Sequence, residues 1–300
     1  MQDNKKVQQF ILQEKVGFGA FGEVYKAIDE NTSEIFAIKR IFSGRSQQID
    51  QSTIREIAAL SSLKGQNHIV PLQKVIFEKG CVYIVLPFYP YNLYEHIKQN
   101  DDINYKKVFK QLLLGVYNIH KLGFMHRDLK PLNILVDDNQ NVYISDFGIA
   151  RMNFGQCRNF NSNCEKHSYE VITLHFRPPE NLLGCDNYHV SVDVWSLGCV
   201  FYQVVMKEIL FYGDSQIEML FKIFSKLGTP SAFIAPSLCS LPLFNEAAAF
   251  PRFYPTKYLY QEELLSRIGY EGADLIDRMI QLEPSRRITI SEALQHQYFL

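Results

Sequence analysis

The hydrophobic pattern changes period near residue 90, and that change restricts the fold more than any other feature of the chain. Before it, Phe10 to Gly17, Glu23 to Asp29 and Ile35 to Ile41 are short runs rich in branched and aromatic residues, punctuated by Gly, Asn and Ser. Such runs predict strands. Val82 to Leu86 reads as a buried strand stopped by Pro87 and Pro90. One helix interrupts the series, Thr53 to Leu63, with Ile54, Ile57, Ala58 and Leu60 at helical spacing and Ser52 or Thr53 as its cap. Beyond the change, Tyr105 to Leu122 sets Val108, Leu112, Gly115 or Val116 and Ile119 on one stripe. Val192 to Met206 is apolar on nearly every face, which predicts a helix buried in the middle of its unit. The simplest arrangement is an α+β chain of two lobes, a strand-rich one over residues 1–88 and a larger helical one over 89–300, joined at Pro87–Asn92.

Composition narrows the class of partner. With 300 residues, 47% of them hydrophobic, the chain can bury a large core. A formal net charge of −1 gives no bulk attraction to nucleic acid or an anionic membrane, so neither is expected as a partner. The 6 cysteines have no CxxC or Cys/His metal spacing, and Cys81 and Cys199 lie in apolar runs as small core residues. The opening MQDNKKVQQF lacks an apolar signal segment, and no run approaches the roughly 20 apolar residues of a spanning helix. Cytoplasm or nucleus is the expected location.

Gly17-Phe18-Gly19-Ala20-Phe21-Gly22 matches GxGxxG, a motif shared with dinucleotide-binding turns. Those turns need a helix starting within the motif. Here Glu23-Val24-Tyr25-Lys26-Ala27-Ile28 alternates as a strand does, so the glycines sit at a hairpin tip. Glycines there let backbone amides approach phosphate oxygens with no Cβ in the way. The expected nucleotide cradle is Val16 to Val24, including Glu23. Phe36-Ala37-Ile38-Lys39 puts a lysine inside an apolar stretch on the third strand, where a solvated lysine is out of place. Glu56, seventeen positions on along the first helix, can pair with Lys39 while Lys39 contacts the α- and β-phosphates.

The most specific segment is His126-Arg127-Asp128-Leu129-Lys130-Pro131-Leu132-Asn133, which precedes the strand-like Ile134-Leu135-Val136. Asp128 is suited to orient a substrate hydroxyl and accept its proton, Lys130 to stabilise the migrating phosphoryl charge, and Asn133 to hold Mg²⁺. Asp146-Phe147-Gly148 follows another strand, Val142 to Ile144. Asp146 offers a hard oxygen ligand to Mg²⁺ bridging the phosphates.

From about Phe10 to Phe299 these residues resemble the protein kinase superfamily, and most closely its cyclin-dependent kinases. Ser52-Thr53-Ile54-Arg55-Glu56 resembles the end of their PSTAIRE helix. Gly213-Asp214-Ser215, Leu227-Gly228-Thr229-Pro230, Asp193-Val194-Trp195-Ser196-Leu197-Gly198-Cys199 and Glu283-Pro284-Ser285-Arg286-Arg287 are also similar. The resemblance implies the bilobal kinase fold, ATP and Mg²⁺ as cofactors, and protein substrates phosphorylated on serine or threonine. It implies adenine contacts from the backbone around Phe88 and Tyr89, and an ion pair between Glu180 and Arg287. It also implies a switch, in which a phosphorylated Ser168 is gripped by Arg55, Arg127 and Arg151. A phosphate adds roughly 1.5–2 negative charges, enough to order a loop opposite guanidinium groups. Lys130-Pro131-Leu132 resembles serine/threonine rather than tyrosine kinases. Thr173 and Arg177 match substrate-side positions, with Arg177 shaping a pocket for proline after the target residue.

The chain also departs from that pattern. Ala20 and Phe21 replace an inhibitory threonine–tyrosine pair, so that brake is expected to be absent. Pro87 replaces an acidic hinge residue, Leu86 is the gatekeeper, and His175 stands where Trp is commoner. An insert spans Phe154 to Lys166. Two readings of regulation stay open: a subunit activated by a cyclin, or a single-chain kinase that phosphorylates other cyclin-dependent kinases in cell-cycle or transcription control. A pseudokinase scaffold is the rival of a different class, set against the presence of Lys39, Glu56, Asp128, Lys130, Asn133 and Asp146.

Overall fold

The computed structural model describes residues 6–19, 22–42, 49–152, 174–185, 189–244 and 251–300. Its N-terminal part comprises β1 (Lys6–Val7), β2 (Phe10–Gly19), β3 (Gly22–Asp29), β4 (Ile35–Phe42), α1 (Gln51–Ser62), β5 (Lys74–Glu78) and β6 (Cys81–Pro87). The strands form one antiparallel sheet in the order β1-β2-β3-β4-β6-β5. Register sorts its two faces. Tyr25, Ile38 and Val85 stand in one cross-strand row, and with Phe10, Leu12, Ala27, Ile76, Cys81 and Tyr83 they form a separate small core. Val24, Lys39 and Ile84 stand in the next row, on the opposite face. Ile41, Val82 and Ile84 on that face join Ala59 and Leu60 of α1, and Leu63 just past its end, in the main core. Each of the valine, leucine and isoleucine side chains, once fully buried, contributes about 1.5–3 kcal/mol relative to exposure.

Two boundaries differ from the sequence expectation. Helix α1 begins at Gln51, and its cap is Asp50, whose side chain makes no capping bond but accepts the Ser52 hydroxyl. The apolar stripe starts only at Thr53, so the polar first turn carries no periodic signal. Pro87 does not stop β6 but pairs with Phe36 as its last residue. The register of β5 reaches no further than Val85. At Pro87 the strand is already an edge, where a missing N–H is tolerated.

The C-terminal part runs through β7 (Tyr91–Asn92), α2 (Leu93–Gln99), α3 (Tyr105–Lys121), β8 (Phe124–Met125), β9 (Ile134–Val136), β10 (Val142–Ile144) and β11 (Arg151–Met152). It continues with α4 (Pro179–Leu182), α5 (Ser191–Met206), α6 (Gln216–Leu227), α7 (Pro236–Cys239), α8 (Glu262–Met279) and α9 (Ile290–Leu294). As its pattern predicts, α5 is buried nearly throughout, with Phe201 stacked on Phe109 of α3 at 3.8 Å. Cys81 and Cys199 are buried free thiols. Among the described residues no helix is long and apolar enough to cross a membrane. A sheet-built N-terminal region thus meets a helical C-terminal region in a bilobal α+β fold.

The loop between α1 and β5 is clipped to the larger part. Ile69 bridges Ile144, with Ile144 N–H donating to His68 O at 2.9 Å and Val70 N–H to Ile144 O at 3.0 Å. Asn118 of α3 donates to Asn67 O at 3.3 Å. Gly115 permits the approach, because a Cβ there would stand 2.9 Å from His68 O.

Candidate active site

The loop between β8 and β9 carries Asp128, Lys130 and Asn133, and a buried carboxylate shapes it from below. Asp193 of α5 has no exposed surface. It accepts the N–H groups of His126 and Arg127 at 2.9 and 2.8 Å and lies 2.9 Å from His120 Nε2. Burial alone would raise the Asp193 carboxyl, but the His120 hydrogen bond and charge, then His126 and the Arg127 N–H, hold it below the usual range. These bonds fix Arg127 at φ 74°, a left-handed conformation that a non-glycine residue adopts only when its surroundings impose it.

His126 makes the next connection. Asp128 N–H donates to its Nδ1 at 3.2 Å, so its other nitrogen carries the proton and donates to Ser145 O at 2.9 Å. The imidazole also meets the Phe147 ring edge-on at 4.9 Å. Asp128 itself and the residue before Asp146 are thereby tied through one ring. Above it, Asp128 Oδ2 accepts Lys130 Nζ at 2.8 Å and Asn133 Nδ2 at 2.8 Å, while Nδ2 donates again to Asp128 O at 2.9 Å.

Lys39 Nζ, from the sheet face that meets α1, donates to both carboxylate oxygens of Glu56 at 2.9 and 2.7 Å. It also lies 3.6 Å from Asp146 Oδ1. Burial disfavours the Lys39 ammonium, but Glu56 and then Asp146 outweigh it and hold the group charged above the ordinary lysine range. Burial would raise Asp146; Lys39, His126 and the Gly148 N–H prevail and keep it below the usual carboxylate range. Asp146 is also left-handed, at φ 62°. Six predicted side chains therefore occupy one connected site: Lys39, Glu56 and Asp146 on one side, Asp128, Lys130 and Asn133 on the other.

The donors suit a hard cation. Asp146 Oδ1 is buried and accepts no hydrogen bond. The Asn133 amide spends its nitrogen on Asp128, which leaves its carbonyl oxygen for a ligand. Among the described residues no cluster of three or more His, Cys, Asp or Glu could hold a metal, so a cation here needs oxygens from phosphates or water as well.

The glycine segment is a hairpin, paired from Phe10↔Asp29 to Gly19↔Gly22. Ala20 and Phe21 lie outside the described residues. Its glycines are not equivalent. At Gly22, with φ 140°, a Cβ would stand 2.2 Å from Arg40 O, whereas at Gly17 the nearest atom is Val24 Cβ at 3.5 Å. Gly22 is thus required by the sheet itself. Val16 and Phe18 are exposed, Val24 shares the Lys39 row, and the Glu23 carboxylate is held by Lys15 and Tyr25 at 2.9 and 2.8 Å. At the junction of the two parts, the Phe88 ring lies 5.1 Å below Lys26 Nζ and the Tyr89 ring packs on Tyr143 at 4.7 Å. Among the described residues, the Tyr89 backbone pairs with no other backbone group, which leaves it open to a planar ligand edge.

Residues 153–173 lie outside the described residues, and with them Ser168, Thr173 and the insert. Of the three arginines matched to a phosphate, Arg55 Nε donates to Gln51 O at 3.2 Å and an Arg127 guanidinium nitrogen to Ile149 O at 3.3 Å. Arg151 pairs with Met125, two positions before Arg127. Beyond the segment, Arg177 N–H donates to Leu174 O at 3.0 Å. Glu180 and Arg287 make the expected pair through two bonds of 2.6 and 2.7 Å.

Sequence reasoning assigned no role to His120, His126 or Asp193. The signal for Asp193 was present, one acidic residue inside an otherwise apolar helix. The family model of the protein kinase domain matches residues 10–299. With the site geometry above, the conclusion is that the chain belongs to the protein kinase family.

Proposed function

We propose that this kinase transfers the γ-phosphoryl group of ATP to serine or threonine hydroxyls and belongs to the cyclin-dependent-kinase-like group, working in the cytoplasm or nucleus. The observation that carries the reading is the junction of Lys39, Glu56 and Asp146 with Asp128, Lys130 and Asn133 in one site. In this scheme residues 1–88 and 89–300 are the two lobes, and ATP lies between them. The backbone of Phe88 and Tyr89 takes the adenine, the hairpin from Val16 to Val24 covers the phosphates, and Lys39, oriented by Glu56, neutralises the α- and β-phosphates. Mg²⁺, held by Asp146 and Asn133, supplies charge neutralisation at the phosphate oxygens.

Asp128 orients the substrate hydroxyl and receives its proton as the new oxygen–phosphorus bond forms and the bond to the departing ADP oxygen breaks. Lys130, already bonded to Asp128, screens charge on the moving phosphoryl group. The serine/threonine assignment rests on Lys130-Pro131-Leu132 and on Thr173; Arg177 supports a preference for proline after the target. Phosphorylation of Ser168, gripped by Arg55, Arg127 and Arg151, raises activity in this scheme.

Each reading of regulation has one supporting observation. Glu56 and Lys39 are joined in the chain by itself, which supports a single-chain kinase acting on other cyclin-dependent kinases. Ile54, 54% exposed on α1, supports a subunit whose helix meets a cyclin. The first is preferred, because the pair a partner would set is already closed. The test is to purify the chain alone and assay it against a kinase-dead cyclin-dependent kinase and a generic basic protein. Transfer without a partner is expected; silence rescued by a cyclin would reverse the preference.

A further inference from the structure

The turn over residues 174–176, next to Arg177, is fastened to the large lobe in two places. On one side Ser196 Oγ of α5 donates to Phe176 O at 2.9 Å. On the other the His175 imidazole lies nearly parallel to the Tyr212 ring, at 4.9 Å and 20°. Its Nδ1 is buried and, among the described residues, has no hydrogen-bond partner, while the Gly213 backbone favours the protonated ring. The neutral ring fits this seat, because a bare buried nitrogen needs no acceptor. A second proton would place a buried N–H with no acceptor, an unfavourable state.

Among the described residues, the charge that acts on the ring is Asp214, from the same loop as Tyr212, and it favours protonation. Glu218 at the start of α6 is turned to the Asp214 N–H at 3.0 Å, and the Ser196 hydroxyl that α5 sends to this turn does not titrate.

We infer that His175 is a positioning residue: its stack on Tyr212 pins the turn that carries Arg177, so that mild acid loosens peptide recognition while nucleotide use is spared. The inference rests on the protein-kinase reading of the site and deepens its substrate side. The sign follows from the seat. Burial holds the imidazole below the ordinary histidine range, against the Gly213 bond and Asp214. The contribution is full above about pH 6.5 and is lost as pH falls through the lowered value.

The experiment compares wild type with His175→Trp, which keeps a flat ring and one N–H donor but no titrating nitrogen, and with Tyr212→Ala at a 56% exposed position. Peptide KM and ATP KM are measured from pH 5.5 to 8. In wild type the peptide KM should rise several-fold on the acid side with ATP KM flat. His175→Trp should abolish that rise, and Tyr212→Ala should raise peptide KM at every pH. An identical acid rise in His175→Trp, or an unchanged peptide KM in Tyr212→Ala, would overturn the inference. An NMR titration of the His175 ring needs no activity. Titration below the free-histidine value, moving back up in Tyr212→Ala, supports the seat even if no peptide is phosphorylated, an outcome that would count against the functional reading alone. A free-histidine value in wild type overturns the inference whatever the activity.

Discussion

Glu56 grips Lys39 with both of its oxygens, at 2.9 and 2.7 Å, across the seam between α1 and the sheet. Little of either side chain reaches solvent, so removing one partner leaves the other charge buried. Lys39→Met is expected to lower kcat/KM by about 100–1000-fold, with the larger part in turnover. Glu56→Gln should lower it less, since an amide oxygen still accepts from the ammonium. Steady-state kinetics alongside thermal melting checks this; a Lys39→Met enzyme within threefold of wild type would be incompatible with the proposed role.

Asp128 has a different test, because its loss should spare nucleotide binding. Asp128→Asn should cut turnover by about 100–10,000-fold while calorimetry finds Mg–ATP affinity within a few-fold of wild type. Transfer at the wild-type rate would argue for a scaffold role.

Asp193 predicts an acid sensitivity of folding. Its carboxyl is held below the usual range by His120, His126 and the Arg127 N–H despite full burial. A depressed carboxyl stabilises the fold above its unfolded value, about 3.9, and that contribution disappears as pH falls through the folded value. Urea midpoints for wild type should therefore fall between pH 5 and 3. Asp193→Asn should start lower and fall less steeply. Parallel curves would mean that Asp193 does not set the dependence.

Arg287 and Glu180 offer a reporter as well as a stability test. Arg287 lies 4.9 Å over the ring of Trp195, the chain's 1 tryptophan. Breaking the buried pair with Arg287→Ala should cost about 3–5 kcal/mol, seen as a lower unfolding midpoint, and should change Trp195 emission in the folded state. Unchanged fluorescence together with an unchanged midpoint would contradict the geometry.

The glycines of the hairpin should separate cleanly. Gly22→Ala forces a Cβ to 2.2 Å from Arg40 O at a positive φ, and should destabilise the fold by more than about 1 kcal/mol. Gly17→Ala meets only ordinary contact with Val24, so its melting temperature should stay within about 2 °C of wild type. Equal losses in the two variants would refute the distinction.

Much of this was legible in the residues because each signal was local. The strand alternation from Glu23 and the apolar run around Lys39 gave the sheet, and the segments His126-Arg127-Asp128 and Asp146-Phe147-Gly148 gave the catalytic ends of β8 and β10. Helix α2 was missed because its 7 residues are too few for a periodic stripe, although its capping box, Asn92 with Glu95, was there to be read. β5 escaped for a related reason: with only Ile76 fully buried, and Lys74 and Phe77 exposed, its alternation is weak. The bond from His126 to Ser145 and the seat of His175 join residues far apart in the chain or depend on ring orientation. No spacing rule reports such contacts.

The clip between the α1–β5 loop and the large lobe has a mechanical consequence. Because residues 67–70 are bonded to Asn118 and Ile144, the C-terminal end of α1 travels with the large lobe, whereas Lys39 travels with the sheet. Any opening of the cleft must then swing α1 like a door hung at Leu63, with the greatest excursion at Gln51 and an intermediate one at Glu56. The Lys39–Glu56 bond is the latch of that door, so a ligand or modification acting on the first turn of α1 has the longest lever over catalysis.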